Sequence, residues 1–295
     1  MEKECRDFRQ LEHTGWERAA SEYENRWTDL TSHFIEPLLR SVGVIDRVTA
    51  RAAAGVAAGA ASGAAPGLRL LDVACGPGYV AAAALARGAV PVGIDFSARM
   101  VARARARHPA IEFLEGDAER LSFEASSFDA VVTNFGVPHL ARPGNAFAEA
   151  RRVLRPGGRF GFTVWGVPER NPLSKIVGDA IEVHADLEID LPEEPARFPL
   201  CEAEECRRAL EGAGFDPRSA TFETVRAAWR VPTAAFLFEA EQKGGVRTAA
   251  LLARQPADRL AAIRGAIEAS VRTHAVPGGF AIPAIAHVVA AAATA

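Results

Sequence analysis

The chain reads as an α/β domain built on a doubly wound, mostly parallel sheet, and three observations predict it. A short apolar run, Leu70-Leu71-Asp72-Val73, ends in the turn Cys75-Gly76-Pro77-Gly78, and a helix-forming stretch from Val80 to Arg87 follows. A second apolar run, Val90-Pro91-Val92-Gly93-Ile94, ends in Asp95 and gives way to an amphipathic stretch from Ala98 to Arg107. Two more apolar runs, Ile111 to Glu115 and Ser127 to Phe135, continue the alternation. Strands separated by helical patterns of this length pair in parallel and carry helices on both faces.

Each element has its own warrant. A glycine lacks Cβ, so the turn at Gly76 and Gly78 can take positive φ and bring its amides close to a ligand at the helix start. Gly76-x-Gly78-x-x-Ala81 fits the dinucleotide fingerprint. Asp95 lies about 20 residues past that turn, the spacing at which a carboxylate meets ribose hydroxyls. A helix cap is the bland role for such a residue, but Ser97 fills it better. Asn145 to Leu154 puts Ala146, Phe147, Ala150, Val153 and Leu154 on one face, the stripe that covers a sheet.

The flanks are organised differently. Residues 1–50 predict two amphipathic helices carrying Trp16, Tyr23, Trp27 and Phe34. Residues 51–67 are rich in Ala and Gly, which predicts a mobile linker that protease would nick first. The core then runs over 68–165 and the remainder of the sheet over 166–295. Helices are expected from Leu173 to Ala185 and from Glu202 to Ala213, and a strand between Phe215 and Trp229. Helices broken by Gly244-Gly245 and Pro256 should fill about 232–273, before a terminal strand from Phe280 to Val289.

Composition excludes several classes. A net charge of −3 leaves no electrostatic footprint for nucleic acid. The basic run from Arg99 to Arg107 reads as a solvated helix face. No apolar stretch has spanning length, and the N-terminus lacks a signal-peptide core. Cys5, Cys75, Cys201 and Cys206 lack paired metal spacing, so reduced thiols, a cytoplasmic location and no metal are expected. His33, His184, His274 and His287 read as structural and His108 as a helix cap. An oligomer is allowed by the sequence but not deducible from it.

Asp72-x-Ala74-Cys75-Gly76-x-Gly78 resembles motif I of the class I S-adenosylmethionine (SAM) methyltransferases, with Ala74 standing where the family has its first glycine. Gly116-Asp117-Ala118, Phe128-Asp129-x-Val131-Val132 and Arg152-Val153-Leu154-Arg155-Pro156-Gly157-Gly158 follow in the order of the ubiquinone/menaquinone-biosynthesis-type (methyltransferase type 11) branch. The resemblance runs from about Leu68 to Trp165. It implies a Rossmann-like sheet of seven strands with an antiparallel last strand, an N-terminal helical lid, and a helical insertion before the last strand that builds an acceptor pocket. It implies SAM as cofactor, S-adenosylhomocysteine as product and a small, partly apolar molecule as acceptor, a quinone-like compound or a secondary metabolite. The residues implied to hold the cofactor are Tyr23, Asp72, Ala74, Gly76, Gly78, Asp95, Phe96, Met100, Asp117, Ala118 and Asn134, with Asp117 on the adenine amino group. A side chain at Gly78 should intrude on the amino-acid part of SAM.

The loop from Asn134 to Leu140 lacks the Asn/Asp-Pro-Pro-Tyr/Phe signature of nucleic-acid amino-methylating enzymes. His139 is its one titratable residue and the candidate general base, since an imidazole can take a proton near neutrality; bracing the loop is its bland role. Two alternatives remain at this point: an NAD(P)-dependent reductase on the same class of fold, and a SAM-binding scaffold without transfer. The acceptor atom, O, C or N, is open.

Overall fold

The computed structural model describes residues 2–45, 67–192 and 200–294. The linker expected at 51–67 lies outside the described residues except for Gly67.

The strands are β1 (Arg69–Val73), β2 (Val90–Asp95), β3 (Glu112–Glu115), β4 (Phe128–Asn134), β5 (Leu154–Trp165), β6 (Thr221–Val231), β7 (Ala275–Val276) and β8 (Gly279–Ala292). They form one sheet in the order β3-β2-β1-β4-β5-β8-β6, with β7 paired to β8. The pairs from β3 to β5 are parallel, while β8 runs antiparallel to both β5 and β6. Among the described residues the path of the sheet has seven strands, as expected, and one short strand lies off it. The extra strand is the two-residue β7, folded back on β8 through Gly278 and Gly279 at φ 84° and 150°. Two residues carry no periodicity to read.

Helices α4 (Tyr79–Ala86), α5 (Ala98–Arg107) and α6 (Pro143–Val153) cross between the parallel strands as their patterns predict. After β5 come α7 (Pro172–His184) and α8 (Ala203–Gly212). The insertion between β6 and β7 folds as α9 (Phe236–Gly244), α10 (Arg247–Leu252) and α11 (Ala257–Arg272). It breaks at Gly244-Gly245 and at Pro256, where φ freedom and a missing N–H stop a helix.

The N-terminal region departs from expectation. Instead of two helices its described residues hold three, α1 (Glu2–Arg26), α2 (Thr28–Ser32) and α3 (Ile35–Ser41). The first break falls at Trp27, whose indole stacks on Trp229 at 4.9 Å and donates Nε1 to the Ala240 carbonyl at 3.2 Å. These contacts override a helical pattern that would otherwise continue. Leu30, Phe34, Leu38 and Leu39 are fully buried, so α2 and α3 belong to the core. Gly161 permits the approach of α3, because a Cβ there would sit 2.7 Å from Val42 Cγ1.

The core fills both faces of the sheet. Leu71, Val131, Phe147, Phe160 and Phe162 pack beneath α6 and α8 on one side. Leu38, Leu70, Val80 and Val132 pack beneath α3 and α4 on the other. A further cluster joins Leu173, Leu237, Ile263 and Trp229 beneath the insertion. The basic run of α5 is a docking seam and not a solvated face. Arg103 and Arg107 pair with Glu24 of α1, and Arg99 pairs with Glu17. Sequence alone could not see that α1 offers carboxylates at matching positions.

Trp229 is 1% exposed and holds the bend at Trp27. Trp229→Ala should cost about 3–5 kcal/mol of stability, read as a lower denaturant midpoint at unchanged slope.

Candidate active site

A cavity of about 380 Å³ lies over the carboxyl ends of β1, β2 and β4, between the sheet and helices α1, α7 and α10. In open α/β sheets this crevice is where ligands bind. Of the twelve site residues predicted from sequence, Gly78 alone is absent from its wall.

Asp72, at the end of β1, is 1% exposed. Its Oδ2 accepts from the Ala81 amide of α4 at 3.0 Å, while Oδ1 is buried without a hydrogen-bond partner among the described residues. Burial first, and then the nearby Asp95 carboxylate, push its pKa up to about 8. The turn that follows bends through Ala74 at φ 54° and Gly76 at φ 51°. The Ala74 methyl is accommodated because position 136 is glycine: a Cβ on Gly136 would lie 2.7 Å from the Ala74 Cβ. Gly76 has open space where its Cβ would be. Gly78 has not, and here the structure corrects the sequence reading. Its φ is 86°, and a Cβ would lie 2.6 Å from the Phe113 ring, away from the cavity.

Asp95 clamps the turn. Its Oδ2 accepts from the Gly76 amide at 2.8 Å and its Oδ1 from the Ser97 amide at 2.9 Å. Burial raises its pKa to about 6, against the pull of those two amides. Ser97 caps α5 by accepting from the Met100 amide, as expected. A carboxylate has about four lone-pair directions, so two remain for a ligand. Phe96 meets His13 edge-on, and Met100 lies buried on the wall beside it. Asp117 and Ala118 follow β3, and Asp117 is ion-paired with Arg9 of α1, which also reaches Glu119. Asn134 donates to the Thr31 carbonyl at 3.2 Å, and its Oδ1 is a second buried acceptor without a hydrogen-bond partner among the described residues.

Helix α1 spans the cavity mouth with a polar and aromatic inner face. Tyr23 and Trp16 meet edge-on at 5.3 Å, and Trp16 meets the His139 ring at 4.8 Å. His139 Nδ1 lies 2.9 Å from Glu12 Oε2. Glu12 is fully buried, accepts a hydrogen bond from Trp16 Nε1 at 3.1 Å, and has Arg247 Nε 3.1 Å from its Oε1. Sequence reasoning missed Arg9, Glu12 and Arg247. The signal was present, since Arg9, Glu12, Trp16 and Tyr23 recur at helical spacing, but a charged stripe is ordinarily solvated. Farther in, Phe135 stacks on Trp165 at 4.1 Å beside Leu173, Val177 and Ile181, making an apolar half.

Among the described residues no group of His, Cys, Asp and Glu could hold a metal, and no helix is long and apolar enough to cross a membrane. His108 is the C-cap of α5, and the four cysteines are free thiols.

The strand order and the crevice over its carboxyl ends define a Rossmann-like nucleotide-binding protein. Comparison with known proteins narrows this. A methyltransferase-domain family matches residues 71–162. The demethylmenaquinone methyltransferase of Chlorobaculum tepidum is 36% identical over 172 residues, 53% of this chain and 70% of that protein. That of Beutenbergia cavernae is 39% identical over 113 residues, 38% of this chain and 47% of that protein, so this match spans about half the relative's length. A solved SAM-dependent methyltransferase of Thermotoga maritima shares the fold at TM-score 0.52 and 17% identity, over 95% of this chain and 99% of that one. The chain belongs to the class I SAM-dependent methyltransferases of the ubiquinone/menaquinone-biosynthesis type.

Two expectations follow. Gly76→Ala should leave the fold intact apart from the strain of positive φ, about 1 kcal/mol, whereas Gly78→Val should unfold or strongly destabilise the chain by driving into Phe113. Thermal melts of the two variants compare them directly. The second concerns Asp72. Its folded pKa of about 8 stands above the ordinary 3.8, so the folded chain binds a proton that the unfolded chain releases. Stability contributed by that proton is full below about pH 4 and is lost as pH rises towards 8. Asp72→Asn, which carries no such proton, should raise the melting temperature more at pH 8 than at pH 5.

Proposed function

We propose that the protein transfers a methyl group from SAM to a small, partly apolar molecule. The observation that carries this reading is the pair of buried, unpartnered acceptors, Asp72 Oδ1 and Asn134 Oδ1, on the wall beside the Gly76 turn. Acceptors buried without partners call for a donor-rich ligand, and SAM brings an ammonium, a ribose and an adenine amino group. When bound, SAM supplies a methyl group already activated on a cationic sulfur.

The chain's own residues then have definite tasks. Asp72 and Asn134 receive the amino-acid end, and the Gly76 backbone lies against it. Asp95 accepts from the ribose hydroxyls while holding the turn. Phe96, Met100 and Ala118 flank the base, and Asp117 meets its amino group once Arg9 shares that carboxylate. Tyr23 closes over the cofactor, since an aromatic face favours a nearby sulfonium. Helix α1 acts as a lid that excludes water and fixes the acceptor. The apolar half around Phe135 and Trp165 takes the acceptor, and the demethylmenaquinone methyltransferases among the relatives support a quinone-like ring there.

Calorimetry should detect SAM and S-adenosylhomocysteine but not NADH; the reverse pattern would transfer the chain to the reductase reading. A cationic ligand beside Asp72 and Asp95 favours their ionised forms, so binding expels protons. Affinity should therefore climb between pH 6 and pH 8, the range set by the two raised pKa values, and the binding heat should vary with buffer ionisation enthalpy. A flat profile would remove these carboxylates from the site.

The lid reading has a separate test. Because α2 and α3 are core, removing residues 1–67 would unfold the chain, whereas a variant beginning at Thr28 keeps them. It should stay folded and bind SAM more weakly. Undiminished affinity would take α1 out of the site.

A further inference from the structure

We propose that Glu12 and His139 form a carboxylate–imidazole dyad: Glu12 holds His139 as its Nδ1–H tautomer, and His139 Nε2 removes the proton of a hydroxyl group on a planar aromatic acceptor. The proposal rests on the methyl-transfer reading above and names its substrate class.

A carboxylate with no exposed surface is costly unless it is paired and hydrogen-bonded. Glu12 meets that condition through the His139 ring, the Trp16 indole N–H and Arg247. Arg247 alone would balance its charge, so charge pairing does not account for the imidazole. An ionised carboxylate can only accept, so the ring nitrogen 2.9 Å from Oε2 carries the hydrogen. The other nitrogen of a neutral imidazole then holds the lone pair. Free histidine favours the opposite tautomer, so Glu12 changes which nitrogen is basic. The ring is also held in place. Trp16 stands perpendicular to it at 4.8 Å, and Arg247 Nη2 donates at 2.8 Å to the carbonyl of Pro138, the preceding residue.

The position selects the acceptor. His139 belongs to the cavity wall, as do the stacked rings of Phe135 and Trp165 and the side chains of Leu173 and Val177. A flat apolar wall suits an aromatic ring, and a basic nitrogen on the same wall suits a hydroxyl on that ring. In the proton step the acceptor O–H bond breaks and an N–H bond forms at Nε2. The electron pair stays on oxygen, which becomes the nucleophile. The imidazolium charge is offset by Glu12 across Nδ1, and the proton later leaves to water. Glu12 does not meet the substrate; it is a positioning residue, and His139 is the catalytic one. Because Glu12 belongs to α1, the base is complete only while that helix is docked.

Nitrogen-15 NMR of the full-length protein labelled at histidine tests this without any acceptor. At alkaline pH His139 should show a protonated Nδ1 and an unprotonated Nε2, assigned by the signals lost in H139Q. E12Q should shift it towards the ordinary Nε2–H form, and E12D should restore part of the Nδ1–H form. The ordinary tautomer in the unaltered protein would overturn the proposal by itself, even if E12Q does not fold. SAM calorimetry on the same samples separates the two readings: no SAM binding sinks the methyl-transfer reading, whereas SAM binding with the ordinary tautomer sinks only the dyad. A panel of hydroxylated naphthalenes and aromatic amines, read by S-adenosylhomocysteine formation, supplies the second arm. Turnover of the hydroxylated rings, about 100- to 10,000-fold lower in H139Q, supports the dyad. Turnover of amines alone would overturn it.

Discussion

One buried carboxylate organises the ligand end of this protein. Asp95 joins the Gly76 amide, in the turn after β1, to the Ser97 amide, at the start of α5. Two strands, one turn and one helix N-terminus are thereby fixed relative to one another by a single side chain. The arrangement carries strain, because burial raises the carboxylate's pKa and Asp95 in turn stands near enough to Asp72 to raise that of Asp72. Two such groups at one edge of the sheet make a region of unsatisfied negative character, which the fold alone does not neutralise. A site of this kind trades stability for affinity.

Helix α1 answers part of that imbalance and creates the rest of the cavity. Arg9 reaches Asp117 and Glu119, Glu17 reaches Ser97 and Arg99, and Glu24 reaches Tyr79, Arg103 and Arg107. Partly exposed ion pairs of this type hold weakly one by one. As a ladder along one helix they set its register over the sheet. Helices α2 and α3 are apolar where α1 is polar, and they stay with the sheet. The N-terminal region therefore holds two kinds of structure, divided at Trp27.

Much of this was legible in the sequence. The parallel strands and crossover helices carry strong local signals, and β1 to β4 and α4 to α6 fall where the apolar runs and caps put them. The breaks in the insertion were legible for the same reason, since Gly244-Gly245 and Pro256 act through local backbone chemistry. What failed needed partners distant in sequence. The division of the N-terminal helices depends on Trp229, some two hundred residues away, and the α5 seam depends on carboxylates of α1. In the site, the motif residues reach the wall, but Gly78 faces Phe113 because β3, two strands later, fills the space behind the turn. Glu12 shared the helical spacing of Trp16 and Tyr23, but a charged stripe is ordinarily solvated, and Arg247, an isolated charge, carries no sign of which way it turns.

The placement of the indoles has an optical consequence. The sequence contains four tryptophans. Trp16, Trp27 and Trp165 line the cavity, and Trp229 is stacked on Trp27. Nearly all the near-ultraviolet emission of the chain therefore originates within one ring of the ligand space. Trp16 touches an imidazole, Trp165 a phenyl ring and Trp27 a second indole, three surroundings that affect an excited state differently. Lifting α1 would separate Trp16 from His139 while leaving Trp165 in place. The unlabelled protein thus carries a native fluorophore set in which a movement of that helix and a filling of the apolar half would produce separable colour and intensity changes.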